Sequence, residues 1–137
     1  MSSVDKVLSK MLTHDEFSKW LGIVIDEYKE GYCSLHYKIR KEMLNGFGIV
    51  HGGVLFAAAD SAFAFACNSH GRLSVALDVT INFAKAVEVD EVLTVEAKEV
   101  YVGNRTGLYD VMVRNESGEI VAVFKGTAYR TNRQVVG

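Results

Sequence analysis

The chain has 137 residues, of which 49% are hydrophobic and 23% charged, and its formal net charge is -2 at pH 7. One domain fits that length, two independent cores do not, and the balance is that of a globular rather than a disordered chain. No basic surplus points to nucleic acid, and two cysteines without close Cys/His spacing make neither a disulfide framework nor a zinc site.

Val4, Val7, Leu8, Met11 and Leu12 share one helical stripe, and Phe17, Trp20 and Leu21 continue it after a break near Thr13 and His14. Residues 1–22 therefore read as an N-terminal helical segment. Residues 23–39 read as extended, turning at Gly31, with Cys33, Leu35, Tyr37 and Ile39 on the buried face. Asn45-Gly46-Phe47-Gly48 is a loop. From Val54 to Cys67 alanine, leucine and phenylalanine dominate, so a helix apolar on nearly all sides, and hence central, is expected. Four strands follow around Leu77–Phe83, Val92–Val102, Leu108–Arg114 and Ile120–Tyr129, with turns at 102–105 and 116–119 and a loose tail over 131–137. The expectation is an α+β single domain over 1–137, an antiparallel meander of four strands curled around one buried helix.

No signal-peptide run opens the sequence. Its most apolar stretch, residues 53–67, is too short to span a bilayer comfortably and is interrupted by Asp60. A cytoplasmic location without a membrane partner is expected. Proline is absent, so turns fall to Gly, Asn, Asp and Ser.

Asp60 carries the most chemical information. A carboxylate among Ala57-Ala58-Ala59 and Ala62-Phe63-Ala64 is costly to bury without a partner; a wet helix edge is the plain alternative. His51-Gly52-Gly53 opens the same helix. First-turn amides lack intrahelical partners and carry the positive end of the dipole, and glycines let a ligand approach them. Such a turn suits a carbonyl oxygen becoming an oxyanion, or else is glycine-rich only for tight packing. Gly53 and Asp60 are seven residues apart, roughly 10 Å along a helix. One carbonyl cannot touch both, so if both serve one reaction a two-fold dimer with composite sites is expected. Ser61 lacks the pattern of a nucleophile elbow. Cys33 and Cys67 read as small core residues, His14 and His36 as surface, His70 as flanking the helix end, and His51 as a donor that fixes the loop.

Asn45-Gly46-x-Gly48-x-x-His51-Gly52-Gly53 followed by Ala58-Ala59-Asp60-Ser61-Ala62 resembles the signature of hotdog-fold acyl-CoA thioesterases. The continuation Phe63 to Ser69 is most similar to the phenylacetate-pathway branch. The resemblance covers roughly residues 17–131. It implies a hotdog fold, a curved antiparallel sheet wrapped around one long central helix. It implies Asp60 as the catalytic carboxylate, general base or nucleophile, and the Gly53 N–H as the group that polarises the carbonyl. It further implies that Asn45 positions water, that His51 supports the loop and that Ser61 orients water or the acid. The coenzyme A arm is then expected along Asn82, Lys85, Gly103, Arg105 and Thr106. Where many relatives carry a proline after Lys85, this chain has Ala86. No metal or redox cofactor is needed, and four-subunit assemblies, dimers of dimers, are usual in the branch.

Two other readings compete. A thioester dehydratase uses histidine and acid in other arrangements. A non-catalytic acyl-CoA or small-ligand binder would tolerate loss of Asp60. The expected substrates are phenylacetyl- or hydroxyphenylacetyl-CoA, or related aromatic and short acyl groups. Phe47, Phe56 and Phe63 are candidates for the pocket or the core.

Overall fold

The computed structural model describes residues 2–137, so Met1 of the expected helical segment lies outside it. The elements run α1 (Ser3–His14), α2 (Glu16–Leu21), β1 (Val24–Lys29), β2 (Tyr32–Lys38), a 3-10 turn (Lys41–Met43), α3 (Gly52–Asn68), β3 (Arg72–Phe83), β4 (Val92–Val102), β5 (Thr106–Arg114) and β6 (Ile120–Gln134).

Asp15 causes the break between the first two helices. Its carboxylate accepts the Ser18 N–H at 3.0 Å and the Ser18 hydroxyl at 2.6 Å, which starts α2 afresh. Gly22, at φ +76°, ends α2 in the left-handed region, where its N–H returns to the carbonyls of Ser18 and Lys19. The Arg40 guanidinium donates to the carbonyls of Trp20 (2.6 Å) and Leu21 (3.2 Å), satisfying two more orphan acceptors.

All strand pairs are antiparallel, in the order β1-β2-β4-β5-β6-β3. The expected run of four consecutive strands is therefore corrected: only β4-β5-β6 is a meander. α3, about 25 Å long, crosses the sheet, and β3 emerges at the far edge against β6, with Phe83 opposite Ala122 and Asn82 opposite Val123. β2 takes the free side of β4, with Leu35 opposite Val95. The tail expected from Thr131 is likewise mostly strand. β6 runs to Gln134, Thr131 Oγ1 donates to the Leu73 carbonyl at 2.6 Å, and the N–H of buried Val135 reaches the Gly71 carbonyl at 2.8 Å.

Alternate residues of the sheet face α3: Leu35 and Tyr37, Val95, Val111 and Val113, and Phe124 are fully buried. Ala58, Ala59, Ala62 and Ala66 let the helix lie close to them, while Phe63 and Phe65 fill the space between. Gly126 is required by that packing, because a Cβ there would stand 2.7 Å from the Phe63 ring. Two tyrosines fasten helix to sheet: Tyr37 donates to the Val54 carbonyl at 2.9 Å and Tyr28 to the Phe65 carbonyl at 2.6 Å. At the far end, buried Asn68 accepts the Ser74 N–H (2.8 Å) and donates to the Ser74 carbonyl (3.1 Å), joining α3 to β3. Cys33 and Cys67 are buried and free, as expected of core residues, and burial pushes both thiols up to about 12. Among the described residues no helix is long and apolar enough to cross a membrane.

Candidate active site

His51 is the N-cap of α3, and its Nδ1 accepts the Gly53 N–H at 2.8 Å. The ring proton must then sit on Nε2. This reverses the expected role of His51: its side chain accepts a bond at the turn rather than donating one. It also moves the free donor. Gly53 N–H, expected to polarise a carbonyl, is occupied, whereas Gly52 N–H has no partner among the described hydrogen bonds. Gly52 lines a cavity of about 270 Å³ together with Leu55, Phe83, Lys85 and Val87. A Cβ on Gly52 would stand 3.1 Å from the Phe83 ring, so glycine keeps this amide open.

Asn45 holds the preceding loop. Its Oδ1 accepts the N–H groups of Phe47 (2.9 Å) and Ile49 (3.1 Å), and its backbone N–H meets the Ile49 carbonyl at 2.7 Å. With the side-chain oxygen so used, the amide NH2 is what Asn45 can offer a ligand.

Asp60 is half-buried on α3 and makes no hydrogen bond or ion pair among the described residues. Burial raises its carboxyl above the usual aspartate value. It lies eight residues beyond Gly52, about 12 Å along the axis, and lines neither cavity beside the start of its own helix. The partly exposed face it shares is made of small residues: Gly53, Ala57, Ser61 and Ala64. Ser61 does not turn to Asp60. Its hydroxyl lies 2.9 Å from that of Ser18, which is bound to Asp15.

The residues expected along coenzyme A divide into two groups. Exposed Asn82 and Lys85 lie at the end of β3, and the Lys85 ammonium stands 3.4 Å from the Glu119 carboxylate. Gly103, Arg105 and Thr106 form the β4–β5 hairpin, closed by Gly103 N–H to the Thr106 carbonyl at 2.8 Å. The Lys85 N–H bonds the Val121 carbonyl, while the Arg105 carbonyl accepts from Arg130 N–H. Nine strand residues separate these points on β6, roughly 30 Å. In one chain, Lys85 and Arg105 cannot meet the same phosphate.

Of the aromatic candidates, Phe63 is core, and Phe56 packs on Phe124 with ring centroids 5.6 Å apart. Phe47 is 90% exposed on the loop. Two aromatics assigned no site role from sequence, Phe17 and Trp20, stand beside the His51 turn instead.

Residues 47–122 match the family model described as Thioesterase superfamily. The chain belongs to this family. Acyl-coenzyme A thioesterase PaaI of Escherichia coli is 38% identical over 93% of this chain and 91% of its own length. The structure of E. coli PaaI, from the phenylacetic acid degradation operon, superposes with a TM-score of 0.93 at 36% identity, covering 96% of both chains. A mutant of phenylacetic acid degradation protein PaaI from Thermus thermophilus superposes at 0.82 with 35% identity, over 85% of this chain and all (100%) of that one. This member of the thioesterase superfamily is thus a hotdog-fold acyl-CoA thioesterase closely related to the PaaI type, and α3 is the helix its curved sheet wraps.

Proposed function

We propose that this thioesterase hydrolyses arylacetyl-CoA, phenylacetyl- or hydroxyphenylacetyl-CoA and related aromatic or short acyl thioesters, at sites shared between two copies of the chain. The observation that carries the reading is Asp60, a half-buried carboxylate without a partner among the described residues, on a helix made mostly of alanine and apolar side chains. The phenylacetic acid setting of two relatives supports the substrate class.

In the proposed reaction the thioester oxygen rests on Gly52 N–H at the positive end of α3. Asp60 of a second copy either takes a proton from water, which attacks the carbonyl carbon, or attacks that carbon itself. Negative charge gathers on the carbonyl oxygen, where Gly52 N–H holds it. The C–S bond then breaks and coenzyme A leaves as a thiolate, giving the free acid directly when water attacks and, when Asp60 attacks, a mixed anhydride that water then hydrolyses to the acid and free Asp60. The Asn45 NH2 donates to the water or thioester oxygen; His51 keeps the first turn in register.

Two features support sharing. The roughly 12 Å between Gly52 and Asp60 is too long for one carbonyl. β3 is also an unpaired edge of twelve residues that exposes Val75 (50%) and Leu77 (61%), a surface open to another strand. Antiparallel pairing of two such edges would bring the Lys85 end of one chain to the Arg105 end of the other. Exposed Val100 and Leu108 on the back of the sheet offer a surface for a second dimer. The test is an acyl-CoA panel run on wild type and Asp60→Asn. Arylacetyl-CoA is expected to head the panel, and the variant to lose all its reactions together. Undiminished turnover by Asp60→Asn would refute the assignment.

A further inference from the structure

Two grooves flank the first turn of α3. One carries Gly52 and Lys85. The other, about 320 Å³, carries His51 and Gly53 and is walled by Phe17, Trp20, Met43 and Val54. We propose that the second groove is the acyl subsite, where Phe17 and Trp20 hold the aryl ring while the phosphorylated arm leaves along the Lys85 groove. The inference rests on the arylacetyl substrate class proposed above and assigns it a place.

Charge separates the two grooves. The Lys85 groove offers an exposed ammonium to phosphate. The second groove is lined by apolar side chains apart from His51 and Glu42; the Glu42 carboxylate is paired with Arg40 at 3.2 Å, and no Lys or Arg lines the groove to receive an anion. An uncharged ring suits it; a pyrophosphate does not. Gly52 and Gly53 are consecutive, with Cα atoms about 3.8 Å apart. A carbonyl at this turn therefore places its two substituents at the mouths of the two grooves.

The aromatic wall is held in place. Phe17 and Trp20 stack with centroids 6.0 Å apart and planes at 20°. The Arg40 guanidinium lies 4.9 Å from the Trp20 ring centroid and also binds the Trp20 carbonyl. Phe17 and Trp20 are nonetheless 55% and 46% exposed, so fixed aromatic surface is left open beside the reacting turn. The Ser18–Ser61 contact ties α2 to the helix that bears Asp60. Both aromatics precede the segment, residues 47–122, that the family model matches.

Trp20 is the chain's single tryptophan, so its emission reports this groove alone. The probes are phenethyl-CoA and ethyl-CoA, thioethers without a carbonyl to hydrolyse, titrated into the wild-type protein with binding followed by calorimetry. Phenethyl-CoA is expected to shift Trp20 emission and ethyl-CoA to leave it unchanged. In parallel, Trp20→Leu should lower the phenylacetyl-CoA to acetyl-CoA ratio of kcat/KM by about tenfold, the scale of one lost aromatic contact with its buried area. Trp20→Phe should hold the ratio within about threefold, since a ring remains. Calorimetric binding of phenethyl-CoA without an emission change would overturn the subsite, as would an unchanged ratio in folded Trp20→Leu. So would emission that follows subunit dissociation on dilution and ignores ligand, for the wall would then be a contact between copies. A wild-type panel without arylacetyl preference would instead remove the substrate class, leaving the emission result to stand or fall separately.

Discussion

The Nδ1 of His51 accepts the Gly53 N–H at 2.8 Å, so the histidine of the turn caps the helix whose neighbouring amide it leaves free. His51→Ala removes the cap and is expected to lower stability by about 1 kcal/mol. His51→Asn supplies another good N-cap and should recover most of that loss. Denaturant unfolding of the three proteins checks the order. Equal stability of wild type and His51→Ala would mean that the cap carries no weight.

Asp60→Asn should reduce turnover by at least about 100-fold, the contribution of a positioned general base. Because burial raises the Asp60 carboxyl, the acid limb of kcat/KM should lie above the value of a free aspartate. A limb at the value of a free aspartate would contradict that placement.

The same shift has a stability consequence of definite sign. A carboxyl whose pKa is raised on folding favours the folded state when protonated. Its contribution is complete below the unfolded pKa and is lost as pH rises through the folded one. Asp60→Asn should therefore melt above wild type at neutral pH, with the gap closing below about pH 3.5, where free aspartate too is mostly protonated. Melting curves across that range decide it; a variant less stable than wild type at neutral pH would show that the charged form gains a partner in the assembly.

Much of this molecule is legible in its sequence. The alternation of Cys33, Leu35 and Tyr37 and the Ala/Phe content of residues 54–67 mark the wrapped strand and the central helix, because burial acts on each directly. The crossing of β3 to the far edge is not legible: periodicity shows which face of a strand is buried, never which strand lies beside it. The tail reads as loose because Thr131, Asn132, Arg133 and Gln134 are polar, yet β3 holds it, with Arg72 paired to Gln134 and the Leu73 carbonyl taking the Thr131 hydroxyl. The occupied Gly53 amide has a readable signal. An N-cap side chain takes the amide two or three residues on, and His51 as N-cap assigns it Gly53, leaving Gly52 free. Phe17 and Trp20 read as apolar helix positions, and only the packing of α2 shows that their rings stay exposed.

Gly126 tests the packing that seats α3. Gly126→Ala places a methyl group 2.7 Å from Phe63 and should destabilise by about 1–3 kcal/mol. Phe63→Leu in the same chain should offset part of that loss, read as non-additivity in a double-mutant cycle. Strict additivity would mean that the two do not compete for one space.

Lys85→Ala should raise KM for acyl-CoA by about threefold, as expected for one exposed ion pair, and weaken its dependence on salt. A short thioester lacking the nucleotide should be indifferent to the change. An unchanged KM for acyl-CoA would take Lys85 out of the binding site.

The central claim is that the Gly52 amide of one copy and Asp60 of another serve one carbonyl, and subunit complementation tests it most directly. Asp60→Asn chains are paired with Gly52→Val chains, in which the side chain fills the space beside Phe83, and heterodimers are isolated with two affinity tags. Each homodimer should be nearly inactive. The heterodimer holds one site with both defects and one with neither, so it should recover up to half the wild-type activity per dimer. Verified, folded heterodimers that remain as inactive as the parents would contradict a shared site.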